Sequence, residues 1–185
     1  MAGKSFVHRV MFGGGILFDL TKWTVAAAVL LTLVHIFWFT IFMVDGISME
    51  PSMQDQDGVL LSRVAFNGDK KINRGDVVVI RYPGDPDNKQ YVKRVIALPG
   101  ERIDIASGKV YVNKEPLKEH YLPSDIQTGP AGTWQLSDKE YFLMGDNRPN
   151  SNDSRTFGPV EKRFLVGKAI AIIYPRLTFI GAEHY

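Results

Sequence analysis

The sequence predicts a mainly β fold, with a single N-terminal transmembrane helix followed by a β-rich domain. Three observations carry this expectation. Residues 23–44 form an unbroken apolar run. The whole excess of positive charge lies before residue 45. Beyond that point, short runs of Val, Ile, Tyr and Phe alternate with turn residues. The expected boundaries are an N-terminal segment over 1–22, the helix over 23–44 and the β-rich domain over 45–185.

The run Trp23 to Val44 reads WTVAAAVLLTLVHIFWFTIFMV and contains no Asp, Glu, Lys or Arg. At about 1.5 Å per residue, a helix of that length crosses a hydrocarbon core of roughly 30 Å. Lys22 and Trp23 stand at its start, as interfacial anchors do. A cleaved secretory leader would have a shorter apolar region followed by small residues, whereas Met43-Val44-Asp45 stands here. His35, inside the run, reads as a neutral imidazole bonded to a neighbour, with a proton relay as the other reading. Residues 10–18 carry three successive glycines and read as an interfacial lead-in, not a second span.

Of the chain's 22 basic and 20 acidic side chains, Lys4, Arg9, Lys22 and Asp19 precede residue 45, leaving 19 of each sign behind them. Basic residues before the span put the N-terminus in the cytoplasm and 45–185 on the outer side. The neutral remainder gives no electrostatic reason for a nucleic-acid partner. With no cysteine, disulfides, thiolate nucleophiles and Cys-ligated metals are excluded.

Candidate strands are 58–66, 76–81, 90–98, 101–105, 109–113, 140–144 and 167–174. Ala106-Ser107-Gly108 reads as a tight hairpin connection. Asn67-Gly68-Asp69 and Pro83-Gly84-Asp85 read as turns. Residues 118–138 are long, polar and rich in Gly and Pro, and read as a surface excursion.

The four histidines argue against a Ser-His-Asp centre. His8 lies in the tail, His35 in the span and His184 next to the end, which leaves His120 in the polar stretch. No HExxH, metal-ligand cluster, GxGxxG or phosphate loop is present, so no metal or cofactor is expected. A serine activated by a lysine needs neither. A free lysine, with a pKa near 10.4, is protonated at neutral pH. To serve as a base near pH 7–8 it must be shifted by roughly three units, about 4 kcal/mol, through burial. In Tyr91-Val92-Lys93-Arg94-Val95-Ile96-Ala97 a period of two puts Lys93 with Tyr91, Val95 and Ala97, and Arg94 on the opposite face. The alternative is a lysine whose head snorkels to water. A nucleophile candidate follows the span directly: Gly46 and Pro51 restrain the backbone around Ser48, which otherwise reads as a plain juxtamembrane turn. Apolar side chains at Ile47, Met49 and Met53 are expected to dip into the membrane interface.

Four boxes in one order give these residues a common meaning. They are Ser48-Met49-Glu50-Pro51-Ser52, Arg74-Gly75-Asp76-Val77-Val78-Val79, Tyr91 to Glu101, and Met144-Gly145-Asp146-Asn147-Arg148-Pro149-Asn150-Ser151-Asn152-Asp153-Ser154-Arg155. Together, behind an N-terminal span, they resemble the type I signal peptidases, bacterial membrane-bound Ser-Lys serine proteases that remove signal peptides from exported proteins. The resemblance implies Ser48 as nucleophile, Lys93 as general base and Ser151 as a hydroxyl that orients the lysine. It implies that Asp146, Asp153 and Arg155 support the Ser151 loop, with Arg94 as an ion-pair partner. It also implies residence in the bacterial cytoplasmic membrane, contact with membrane lipid, and signal-peptide-bearing preproteins as substrates, with small residues at the first and third positions before the cut. The substrate would lie extended along a sheet edge. Ser48 lies four residues beyond Val44, within roughly 14 Å of the span's end, so only bonds near the bilayer surface are in reach.

Two positions depart from the family pattern. Gly46 stands where some members have a serine whose hydroxyl joins the oxyanion hole, so a donor besides the Ser48 N–H is needed. Pro149 stands where aspartate is more frequent, and should change loop stiffness more than chemistry. Two other readings compete. A self-cleaving repressor-type Ser-Lys protease carries a DNA-binding domain where this chain has its span. An inactive anchored module that binds exported polypeptides along a β-edge would not need Ser48, Lys93 and Ser151 together.

Overall fold

The computed structural model describes residues 18–33, 38–66, 72–82 and 89–181. The chain divides into two compact units, Met1–Trp38 and Phe39–Tyr185. Residues 10–17, His8, His35, His184 and the turns at 67–69 and 83–85 lie outside the described residues.

In the first unit residues 18–33 are helical, and every one of them is exposed. The helix expected to run unbroken from residue 23 to 44 does not do so. Phe39–Met43 is instead a strand, β1, paired residue for residue with β2 (Gly58–Ser62), from Phe39 opposite Ser62 to Met43 opposite Gly58. A continuous apolar run carries neither helical nor strand periodicity, so its pattern cannot locate the change. Phe39, Thr40, Ile41 and Phe42 are aromatic or β-branched, residues that suit a pleated surface, and β2 offers them an open edge. Among the described residues no helix is long and apolar enough to cross a membrane.

The second unit is mainly β, as expected. After β2 come β3 (Val77–Arg81), β4 (Gln90–Ala97), β5 (Arg102–Ala106), β6 (Lys109–Val112), β7 (Glu115–Pro116), β8 (Gly132–Gln135), β9 (Glu140–Met144), β10 (Val160–Glu161), β11 (Leu165–Tyr174) and β12 (Thr178–Phe179). One sheet has the order β1-β2-β11-β3-β4-β9-β10, with β12 added to β11; a smaller one has the order β7-β6-β5-β8. All pairings are antiparallel. The β5–β6 connection is the two-residue turn Ser107-Gly108, with both φ positive (49° and 76°), as a hairpin that matches strand twist requires.

The larger sheet is buried on both faces, which explains the unbroken Val77-Val78-Val79-Ile80. Val77, Val79 and Val92 join Met49, Met53, Leu61 and Ile172 on one side. Val78, Ile80 and Val95 join Tyr141, Leu143 and Val160 on the other. Met49 and Met53 are therefore fully buried core residues, and of the three side chains expected at a membrane interface only Ile47 is exposed. A bulge between Val95 and Ala97 breaks the period of two in β4. As a result Ala97 does not stay with Lys93's face, and joins Ile96 in a third cluster shared with the smaller sheet.

Residues 118–138 are not a detached excursion. They contain β8, which pairs with β5, and the buried Thr128. Their polar side chains bind the loop that follows β9, as described next.

Candidate active site

Ser48 lies in the loop between β1 and β2. Two backbone bonds close the neck of that loop, from Val44 N–H to Asp57 O and from Gln56 N–H to Val44 O, both at 2.9 Å. Gly46 takes φ +101°, a conformation L side chains rarely adopt, and its N–H donates to Asp55 Oδ1 at 2.7 Å. Gly46 thus has a backbone role that a serine would fill only with strain, and its N–H is already engaged. Asp57, buried at the neck, accepts from both outer nitrogens of Arg176.

A second loop, after β9, grips the first. Asn147 N–H donates to Ser48 O at 3.0 Å, and Asn147 Nδ2 donates to Ile47 O at 3.1 Å. Gly145 lies so close that a Cβ there would overlap the Ser48 carbonyl oxygen and the Ser151 hydroxyl. This is a close-approach glycine, set by space and not by dihedral.

Lys93, in the middle of β4 opposite Val78 of β3, is 1% exposed. Its Nζ donates to Ser48 Oγ at 2.8 Å and to Val92 O at 2.9 Å, and stands 5.3 Å from the Tyr91 ring centre. Burial lowers its pKa from 10.5 to about 8; the negative Asp153 and Asp146 oppose that shift and Arg155 adds to it. No carboxylate forms an ion pair with Lys93 among the described residues.

The neighbouring charges are treated differently. Arg94 gives two bonds to Asp146, at 2.9 and 2.7 Å, and others to Gly75 O and Ser52 Oγ. Its guanidinium also lies 4.0 Å from the Tyr121 ring centre. Asp153 accepts two side-chain bonds from Arg155, together with the N–H groups of Gly145 and Arg155. Burial pushes its carboxyl pKa up, but the Arg155 bonds and charge and the Gly145 N–H hold it below the usual carboxylate range. Asp153 thus ties Gly145 to Arg155, and Asp146 ties the same loop to Arg94 of β4. Ser151 Oγ is itself buried beside Gly145, where it weakly favours the Asp153 carboxylate. It has no well-formed hydrogen bond, so it does not bond the lysine here. Ser48 and the Val92 carbonyl hold the amine instead.

Sequence reasoning missed how the 118–138 stretch takes part. Arg148, fully buried, donates to Gly145 O at 3.0 Å and to Thr128 Oγ1 at 2.8 Å, and pairs with Glu119 through both outer nitrogens. Tyr121 OH donates to the same Glu119 at 2.6 Å, and Arg155 donates to Gly129 O. No sequence pattern joins Glu119 to Arg148, 29 residues away, so nothing in the sequence pointed to this pair. His120, between Glu119 and Tyr121 in sequence, is exposed.

Comparison with known proteins bears on the same residues. The family model "Signal peptidase, peptidase S26" matches residues 17–174. A signal peptidase I of Bacillus licheniformis is 34% identical over 170 residues, covering 86% of this chain and 89% of the relative. Signal peptidase I S of Bacillus subtilis is 34% identical over 166 residues, covering 83% and 87%. The crystal structure of a signal peptidase I from Enterococcus faecalis, 29% identical, covers 54% of this chain and 97% of its own, with a TM-score of 0.47.

Proposed function

Because the chain belongs to the signal peptidase family, peptidase S26, and is a serine endopeptidase, we propose that it removes signal peptides from exported preproteins with Ser48 as nucleophile and Lys93 as general base. The observation that carries the assignment of roles is the 2.8 Å contact between the Lys93 amine and Ser48 Oγ, on an amine that burial makes easy to deprotonate.

The neutral amine takes the Ser48 proton as Oγ attacks the scissile carbonyl, and the C–N bond then breaks. The ammonium returns that proton to the leaving amine, giving an acyl-enzyme. A water deprotonated by the same lysine hydrolyses the ester and restores Ser48. The Ser48 N–H is the first oxyanion donor. The Gly46 N–H, held by Asp55, is not the second. Ser151 accepts from the ammonium once Ser48 is acylated, a role supported by a buried hydroxyl that has no well-formed hydrogen bond of its own.

The anchoring of the enzyme is part of this proposal. Residues before Phe39 hold the chain at the bacterial cytoplasmic membrane, with 1–22 in the cytoplasm and the β-rich unit on the outer side. The support is the apolar, charge-free sequence from Trp23 to Trp38 and the exposed apolar side chains of the helix over 18–33.

The test is cleavage of a signal-peptide-bearing precursor by the full chain. Ser48→Ala and Lys93→Met should each lower kcat/KM on the order of 10⁴-fold or more, and the double variant should fall little further, because the pair acts as a unit. The parent's rate should rise with pH through a limb near 8, as the amine loses its proton. If both variants cut as the parent does, the dyad is wrong and other residues carry the cleavage; if the parent itself does not cut, a binding module is left.

A further inference from the structure

Nine arginines are described, and seven of them have an ion pair with a carboxylate. The two that do not, Arg63 and Arg81, open into the same recess. It is a cavity of about 240 Å³ lined by Arg63, Arg81, Gln90, Arg163, Leu165 and Val166. The fold brings them together at one end of the larger sheet. Arg63 follows the last residue of β2, Arg81 ends β3 opposite Gln90, and Ile80 before it pairs with Leu165. Arg163 comes from the short 3-10 turn Lys162–Phe164 that leads into β11, and shares its charge with Glu161 at 2.9 Å.

Three arginines line one small cavity, and among the described residues one carboxylate, Glu161, pairs with any of them, which leaves an excess of positive charge there. Like charges that share one cavity repel, and an anion in the recess offsets the repulsion. Guanidinium forks match phosphate oxygens in pairs, and the Gln90 amide supplies a further donor. We propose that this recess binds a phosphate group, and that its source is the headgroup of an anionic lipid. The register supports that source. Ser62, just before Arg63, pairs with Phe39, the residue at which the chain enters this unit from its apolar N-terminal segment. The phosphate site stands independently of the roles given to Ser48 and Lys93; its lipid source rests on the anchoring proposed above.

The experiment uses the full chain in a neutral detergent. Phosphatidylglycerol mixed micelles, phosphatidylcholine mixed micelles and inorganic phosphate are titrated separately, with binding read by calorimetry. The parent is compared with Arg63→Gln/Arg81→Gln and with Lys109→Gln/Lys114→Gln, which removes the same charge from exposed positions at either end of β6. The parent should prefer phosphatidylglycerol over phosphatidylcholine at least tenfold. The arginine variant should lose at least tenfold and the lysine variant less than twofold. An unchanged Tm and unchanged precursor cleavage show that the arginine variant is folded. Loss confined to phosphatidylglycerol supports the lipid source. A matching loss for inorganic phosphate keeps the site but overturns the lipid source. Equal binding by parent and arginine variant, or an equal loss in the lysine variant, overturns the site.

Discussion

Lys93 and Arg94 are adjacent in one strand, both buried, and the protein handles their charges in opposite ways. Arg94 receives a carboxylate with two bonds, a backbone carbonyl, a hydroxyl and an aromatic face. Lys93 receives a serine hydroxyl and its neighbour's carbonyl. A guanidinium cannot shed its proton in a protein, so burying it requires compensation. An amine can, so leaving it without a carboxylate turns burial into a lowered pKa. The arginines next to it serve as fixed charge that ties loops together, while the lysine is left able to change charge.

This contrast is open to attack from both sides. On the arginine side, Asp146→Asn leaves Arg94 buried without its counter-charge. The expected loss of stability is about 3–5 kcal/mol, read from the urea midpoint. A loss below about 1 kcal/mol would mean that Arg94 is not held as described.

On the lysine side the sign reverses. The folded pKa of about 8 lies below the ordinary 10.5. Between those values the unfolded chain holds more protons at this lysine than the folded one does. Raising the pH through that window therefore favours folding, and below pH 8 the folded protein carries the full cost of the buried ammonium. Lys93→Met removes it, and should stabilise the protein by about 3 kcal/mol at neutral pH. The gain should shrink between pH 8 and 10.5. A variant less stable than the parent at pH 7 would show that the amine's contacts outweigh its desolvation.

The smallest effect is expected at Glu119. Glu119→Gln keeps an acceptor for Arg148 but removes the charge, which should cost about 1–2 kcal/mol in urea. Because Arg148 holds Gly145 O beside Ser48, kcat should fall while KM changes less. An unchanged kcat would separate the 118–138 stretch from the site.

Much of this arrangement was legible in the sequence, for identifiable reasons. The strands at Val77–Arg81, Gln90–Ala97 and Glu140–Met144 announce themselves through β-branched and aromatic density between turns. Ser107-Gly108 announces a hairpin because few residues accept positive φ. The pairing of Ser48 with Lys93 came from the boxes, since the two are 45 residues apart and no local pattern joins them. Three features stayed hidden. Phe39–Met43 sits inside an apolar run that has no period to break. Met49 and Met53, near an apolar segment, look like interface residues until β2 and β11 are seen to close over them. Glu119 lies in a polar stretch whose role depends on a long-range partner, Arg148, that only the folded chain supplies.

The direct test of the account is the titration of the Lys93 amine itself. Lysine labelled with ¹³C at Cε, assigned by comparison with Lys93→Met, reports its protonation in the full chain. The account predicts a midpoint near 8, well below the ordinary lysine value. A midpoint at the ordinary lysine value, with the Ser48 contact intact, would contradict it.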